Sequence, residues 1–141
     1  MIKRHGSARW QGDLKTGKGT VSTQSGVLDA QPYGFKTRFE GDPGTNPEEL
    51  IGAAHASCFS MALSLILGEA GLVADSIDTK ATVHLEQQDG GFTVTSVHLD
   101  VVATIPGASA EQFETAAEAA KANCPISKLL TAEITMDAKL A

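Results

Sequence analysis

One stretch of the chain, NPEELIGAAHASCFSMALSLI at residues 46–66, constrains the fold more than any other. Asn46 is a good N-cap, and Pro47 suits the first position of a helix, where no N–H is needed. Glu49 lies three residues after Asn46, where a capping box places its acid. Gly71 suits the left-handed conformation that ends many helices. These signals predict one long helix that stops within the sequence GEAG.

The interior of this helix is apolar, since no Asp, Glu, Lys or Arg occurs from Leu50 to Gly68. About 20 apolar residues are enough to span a bilayer. Small and polar residues nevertheless dilute the stretch, namely Gly52, His55, Ser57, Ser60 and Ser64. We therefore predict a buried central helix and no membrane span. The basic N-terminus has no apolar run behind it and is not a signal peptide, so we predict a cytoplasmic protein.

The segments around the central helix predict mixed α and β structure. The first third consists of short strands broken by glycine, among them YGFKTRFEG at residues 33–41. Residues 76–107 alternate around a DGG turn, which is typical of a hairpin. A second helix begins after Ser109, a short third helix begins at Pro125, and residues 132–140 alternate like a strand. This order predicts an α+β fold in a single domain over residues 1–141.

The composition excludes two classes of partner. Hydrophobic residues make up 42% of the chain and charged residues 20%, as in soluble globular proteins. The formal net charge is −6, and the sequence contains no block of Lys and Arg. A chain with this charge has no electrostatic attraction for nucleic acid or for an anionic membrane surface. We therefore predict neither as a partner.

The chain has two cysteines, Cys58 and Cys124, which lie 66 residues apart. This spacing excludes a CxxC motif of the metal-binding or the thioredoxin type. A functional cysteine pair in the cytosol is usually redox-active or catalytic. The alternative is two unrelated thiols that only fill space in the core. The residues alone leave both interpretations open.

Cys58 lies about three turns into the central helix, too far from its start for the helix dipole to act on the thiol. A thiol buried in apolar surroundings is inert unless a cation lies near it. Two residues are candidates for this cation: His55, three residues before Cys58, and Arg38, in the segment before the helix. Alternatively, Arg38 faces solvent on a strand and does not contact the thiol. An arginine there needs an acid to anchor it. Glu48 lies about 80° round the helix from Cys58, whereas Glu49 lies opposite, so Glu48 is the better acid.

Cys124 directly precedes a proline, which suggests that it is the N-cap of the short third helix. Its sulfur would then feel the positive end of that helix directly. By this argument Cys124 is at least as reactive as Cys58. The residues therefore do not decide which thiol attacks a substrate and which one resolves the product.

His84 and His98 fall on the two strands of the hairpin and would form a zinc site if they opposed one another beside a cysteine. Their spacing is not that of a zinc finger, and we predict no metal and no bound cofactor. The sequence has no P-loop, no GxGxxG and no GxSxG.

Four stretches of the chain closely resemble the OsmC subgroup of the OsmC/Ohr family: GKGTVSTQSGVL, PYGFKTRFEG, GTNPEELIGAAHASCFSMALSLILGEAG and NCPISKLL. The resemblance runs over nearly the whole chain. It implies an α+β fold in an intertwined homodimer, in which antiparallel sheets wrap two long central helices. It also implies two active sites at the subunit interface.

The resemblance further implies a thiol peroxidase that reduces organic hydroperoxides, and hydrogen peroxide more weakly, to alcohols. Cys58 matches the family's peroxidatic cysteine and Cys124 its resolving cysteine. The cycle passes through a sulfenic acid and an intramolecular disulfide, and an external dithiol reduces the disulfide. No cofactor or metal takes part.

The family's helix-start glutamate matches Glu48, in agreement with the argument from the helix face, and its site arginine resembles Arg38. Arg9 is the alternative to Arg38, and Glu49 is the alternative to Glu48. Two other functions remain open: a dimer that binds a small molecule or a lipid without turnover, and a redox-sensing disulfide protein that peroxide oxidises without cycling.

Overall fold

The computed structural model describes residues 1–141, which divide into two compact units, residues 1–50 and 51–141. The longest helix, Pro47–Glu69, starts at the end of the first unit and continues into the second. The order of strands, long helix, hairpin, helix and strand agrees with the predicted α+β fold. The organisation as a single domain stays a prediction.

The first unit contains a three-stranded antiparallel sheet in the order β1 (Gly6–Gln11), β2 (Lys18–Thr23) and β3 (Gln31–Tyr33). Gly19 in the central strand pairs with Trp10 on one side and with Tyr33 on the other. A Cβ at Gly19 would lie 2.5 Å from the Tyr33 ring and 2.7 Å from the Trp10 ring. Only glycine leaves room for the two aromatic rings, whose centroids are 5.7 Å apart.

One predicted strand is wrong, because most of YGFKTRFEG forms a short helix, α1 (Phe35–Phe39). The backbone N–H of Gly34 donates to the Thr37 hydroxyl at 2.8 Å, and this local bond favours a helical turn. The rings of Phe35 and Phe39, one turn apart, pack with centroids separated by 4.9 Å. Arg38 therefore lies on a helix and not on a strand.

The long helix, α2 (Pro47–Glu69), has the predicted signals at both ends. The Asn46 side chain accepts a hydrogen bond from the Glu49 backbone N–H at 2.8 Å and donates to the Glu49 carboxylate at 3.3 Å. Gly71 has a φ of 74°. The Leu72 N–H bonds the carbonyl of Leu67 at 2.9 Å, which is the pattern of a Schellman motif.

The second unit contains the sheet β4 (Ser76–Gln88), β5 (Gly91–Thr104) and β6 (Glu133–Leu140), in that order. Strands β4 and β5 form the predicted hairpin. β6 pairs with β5 in parallel, which departs from the expected all-antiparallel sheets. The reason is the connection, since α3 (Ala110–Asn123) and α4 (Pro125–Leu129) carry the chain back before it forms β6.

One stripe of α2 faces the core of the second unit and consists of Gly52, His55, Phe59, Leu63 and Leu67. Buried residues of β5 and α3 complete this core, among them Val97, Leu99, Val101, Phe113 and Ala117. The helix is long and apolar enough to cross a membrane by composition, but the same is true of core helices in soluble proteins. Its opposite face is exposed and carries Met61 and Leu65.

Candidate active site

The second unit places the two thiols side by side, although 66 residues separate them in the sequence. Burial raises the pKa of the Cys58 thiol, the backbone N–H of Ile126 lowers it, and a hydrogen bond with the side chain of Cys124 raises it further. Both cysteines are free; Cys124 is fully buried and Cys58 partly buried. The structure thus brings together two of the predicted site residues.

Cys124 occupies the joint between two helices, as the C-cap of α3 and the N-cap of α4. Its sulfur accepts a hydrogen bond from the Ser127 backbone N–H at 3.3 Å. Pro125 holds the first position of α4, where the missing N–H has no cost. The predicted capping position of Cys124 is therefore confirmed.

His55 is fully buried, and its ring points to Ser127. The distance from His55 Nε2 to Ser127 Oγ is 2.8 Å, and Ser127 Oγ lies 3.1 Å from Cys124 Sγ. Burial lowers the pKa of His55, so the ring is neutral at neutral pH and supplies no positive charge to Cys58. Ser127 is not among the site residues predicted from the sequence; the signal for it is its position three residues after a cysteine that caps a helix.

Arg38 and Glu48 form an ion pair in the first unit. Arg38 Nη2 lies 2.6 Å from Glu48 Oε1, and Arg38 Nε lies 3.1 Å from each carboxylate oxygen. Glu49 instead takes part in the cap with Asn46. The structure thus pairs the predicted arginine with the predicted acid, since a guanidinium and a carboxylate match in geometry. The alternative arginine, Arg9, is an exposed residue of β1.

His84 and His98 do not oppose one another across the hairpin, so the zinc site that would need them beside a cysteine does not form. His84 pairs with Ser96 across the hairpin, and His98 pairs with Thr82. The His98 ring contacts Thr135 at 2.6 Å and Asp137 at 3.2 Å. The ligand atoms of His98, Asp100 and Asp137 lie within 4.8 Å of one another, but both acids are exposed.

The fold and the adjacent thiols define an α+β protein with a dithiol pair between a long helix and a short one. The chain belongs to the OsmC family, because the family model for OsmC-like proteins matches residues 39–139. This span includes Cys58, Cys124 and Glu48 and begins one residue after Arg38.

Two relatives are similar over most of their length. Peroxiredoxin OsmC of Escherichia coli (strain K12) is 60% identical over 139 residues, which cover 99% of this chain and 97% of the relative. The organic hydroperoxide resistance protein OhrB of Bacillus subtilis (strain 168) is 29% identical over 123 residues, or 86% of this chain and 88% of the relative.

Solved structures agree with the fold. The crystal structure of Bacillus subtilis OhrB has a TM-score of 0.70 at 26% identity and covers 97% of this chain and 98% of its own. The structure of an OsmC-like protein of unknown function from Vibrio cholerae has a TM-score of 0.77 at 18% identity. The match covers 99% of this chain and 100% of that one.

Proposed function

We propose that this protein is a thiol-dependent peroxidase that reduces organic hydroperoxides, and hydrogen peroxide more weakly, to alcohols. The observation that carries the proposal is the proximity of the two thiols, with Cys124 in the core and Cys58 packed against it. The names of the relatives, a peroxiredoxin and an organic hydroperoxide resistance protein, support the same chemistry.

In the proposed reaction, the Cys58 thiolate attacks the terminal oxygen of the hydroperoxide. The O–O bond breaks, the alkoxide takes up a proton and leaves as the alcohol, and Cys58 becomes a sulfenic acid. Cys124 then attacks the Cys58 sulfur, water leaves, and a disulfide forms. An external dithiol reduces this disulfide by exchange. Access favours Cys58 as the attacking thiol, because it is partly exposed while Cys124 is fully buried.

Arg38 and Glu48 are the proposed partners of the peroxidatic thiol. The pKa of Cys58 is raised by burial, so a cation is needed to favour the thiolate. Arg38 is the arginine that a carboxylate already anchors, through contacts to both oxygens of Glu48. This supports Arg38 over Arg9 and Glu48 over Glu49.

We further propose that the protein is a homodimer in the cytoplasm. The exposed face of α2 carries small and apolar residues that suit close approach of another helix: Ala53, Ala54, Ser57, Met61 and Leu65. Met61 and Leu65 are 76% and 67% exposed in one chain. Such a face in a soluble protein is typical of an interface.

Consumption of cumene hydroperoxide with excess dithiol tests this function. We expect many turnovers per chain, with the dithiol oxidised in proportion to the peroxide consumed. A protein that merely binds a small molecule or a lipid would consume none, and a redox sensor would stop after one equivalent. Either result would contradict the proposal, and Cys58→Ser is the inactive control.

A further inference from the structure

The core of the second unit contains a continuous polar path through apolar surroundings. It runs from His55 Nε2 to Ser127 Oγ over 2.8 Å and from there to Cys124 Sγ over 3.1 Å. Cys124 in turn contacts Cys58. His55 and Ser127 are the two buried polar side chains of the protein, with 0% and 7% exposure. Burial of such groups in a core of this kind is costly unless they are paired.

The pairing of His55 is incomplete, because Nδ1 is buried without a hydrogen-bond partner. A histidine with a purely structural role usually has both ring nitrogens satisfied. Here no carbonyl or carboxylate at Nδ1 fixes the tautomer. The Nε2 atom is therefore free either to donate to Ser127 Oγ or to accept a proton from it.

We propose that Ser127 and His55 form a proton relay that activates Cys124 for its attack on the oxidised Cys58. Ser127 touches the reacting sulfur and is the catalytic member, whereas His55 acts through Ser127 and is a positioning and proton-accepting residue. This inference rests on the proposed peroxidase function. It assigns a role to two residues that the reaction with hydroperoxide does not use.

As the Cys124 sulfur forms the S–S bond, the S–O bond of the Cys58 sulfenic acid breaks and hydroxide leaves. The thiol proton of Cys124 passes to Ser127 Oγ while the Ser127 hydroxyl proton passes to His55 Nε2. Over the whole step, Cys124 loses one proton and the departing hydroxide gains one, so water leaves and His55 ends the step neutral. Cys124 supplies the two electrons that reduce the Cys58 sulfur.

The surroundings of His55 contain no competing base. The charged side chains of β4, α3 and α4 are exposed except for Lys121, which pairs with Glu118 at 3.1 Å. On β5, His98 contacts Thr135 and Asp137, and Asp100 is exposed. The titratable groups that face the relay within this unit are therefore the two thiols.

Single-turnover oxidation of the full chain tests the relay. Reduced protein is mixed with one equivalent of cumene hydroperoxide; dimedone adduct formation measures the Cys58 sulfenic acid, and intact mass measures the disulfide. We expect disulfide formation to slow by about tenfold or more in Ser127→Ala and in His55→Gln, with sulfenic acid accumulating. Ser127→Thr, which keeps the hydroxyl, should restore most of the rate.

The pH profile separates a relay from a structural role. Glutamine at position 55 can still donate to Ser127 but cannot accept a proton. We expect the rate of disulfide formation to vary little between about pH 6 and pH 8 in the wild type and to rise steeply with pH in His55→Gln, where hydroxide must remove the proton. Ser60→Ala removes another hydroxyl of α2, one that bonds Thr79, and serves as the matched control.

The two proposals fail in different ways. A wild-type protein that forms neither the dimedone adduct nor the disulfide would contradict the peroxidase function. A wild type that forms both, with His55→Gln showing the wild-type rate and pH profile, would overturn the relay alone. Should Ser127→Ala fail to fold, His55→Gln and Ser127→Thr decide the question.

Discussion

The two cysteines differ in their surroundings, since Cys124 is fully buried and Cys58 is partly exposed, and the proposed reaction gives them different roles. We expect Cys58→Ser to abolish peroxide reduction, because a serine hydroxyl is a far weaker nucleophile and does not oxidise in the same way. Cys124→Ser should still react once. Without a partner thiol, the sulfenic acid should then advance to the irreversible sulfinic acid in excess peroxide.

Intact-mass measurement after addition of an organic hydroperoxide checks both variants. The wild type should lose two protons as its disulfide forms, and Cys124→Ser should gain first one oxygen and then a second. The opposite pattern, in which Cys58→Ser gains oxygen quickly and Cys124→Ser stays inert, would reverse the two roles. Cys124 caps a helix, which makes that reversal chemically reasonable and the measurement decisive.

Arg38 is the proposed cation beside the Cys58 thiol, and its removal tests that role. We expect Arg38→Ala to raise the pKa of Cys58 further above its ordinary value and to slow its oxidation. Loss of one ion-pair partner should cost about 2 kcal/mol, or about thirtyfold in rate. Stopped-flow oxidation as a function of pH measures both effects. Arg9→Ala is the matched control, and a rate that falls in Arg9→Ala but not in Arg38→Ala would transfer the role to Arg9.

His55 makes stability depend on pH. Burial lowers the pKa of the folded His55 below its ordinary value of 6.5, so the unfolded chain binds this proton first as the pH falls. The free energy of unfolding should therefore decrease below that value, by no more than about 1.4 kcal/mol per pH unit from this group. Urea denaturation at several pH values measures the slope. A His55→Gln variant with the same slope as the wild type would show that other groups cause it.

The sequence predicted part of the site at this scale, and physical reasons explain the rest. Cys124 was recognisable as a cap because proline follows it, and Glu48 was recognisable from its helical face. Ser127 could not be predicted as a site residue, because a serine in a short helix has many ordinary roles. The direction of the His55 ring depends on the packing of α4 against α2, which joins positions 72 residues apart.

At the scale of elements, the predicted caps of α2 are confirmed, and they allow a paired test. We expect Gly71→Ala to lower the free energy of unfolding by about 1 kcal/mol, because alanine is strained at the φ of 74°. Gly68→Ala should instead raise it by about 0.5 kcal/mol, since Gly68 lies inside the helix with open space around it. Chemical denaturation compares the two variants, and equal effects would contradict the assigned end of α2.

The errors at this scale also have physical causes. Residues 33–41 look like a strand because aromatic and apolar residues recur in them, but the bond between Gly34 and Thr37 gives a helical turn. The parallel alignment of β6 was not foreseen, because strand direction depends on how α3 and α4 cross the sheet. Periodicity specifies which residues share a face, but it does not specify the partner strand.

At the scale of the whole molecule, the exposed apolar face of α2 leads to an expectation about assembly. Light scattering at micromolar concentration should give twice the chain mass of 14.7 kDa. Leu65→Asp should shift the protein towards monomer, because a charge on an apolar interface is costly. Val73→Asp changes another exposed apolar residue just outside α2 and is the control. A stable wild-type monomer would contradict the dimer.

The position of Cys124 at the joint between α3 and α4 has a consequence for observing the protein at work. The Cys124 sulfur, which forms the disulfide in the proposed reaction, is also the acceptor for the backbone N–H of Ser127 at 3.3 Å. A sulfur held in a disulfide is a weaker acceptor and points along a new bond, so the first turn of α4 loses part of its cap on oxidation. The chemical shift of the Ser127 amide proton, and its rate of exchange with deuterated solvent, should therefore differ between the reduced protein and the disulfide form. Both can be measured without an added label.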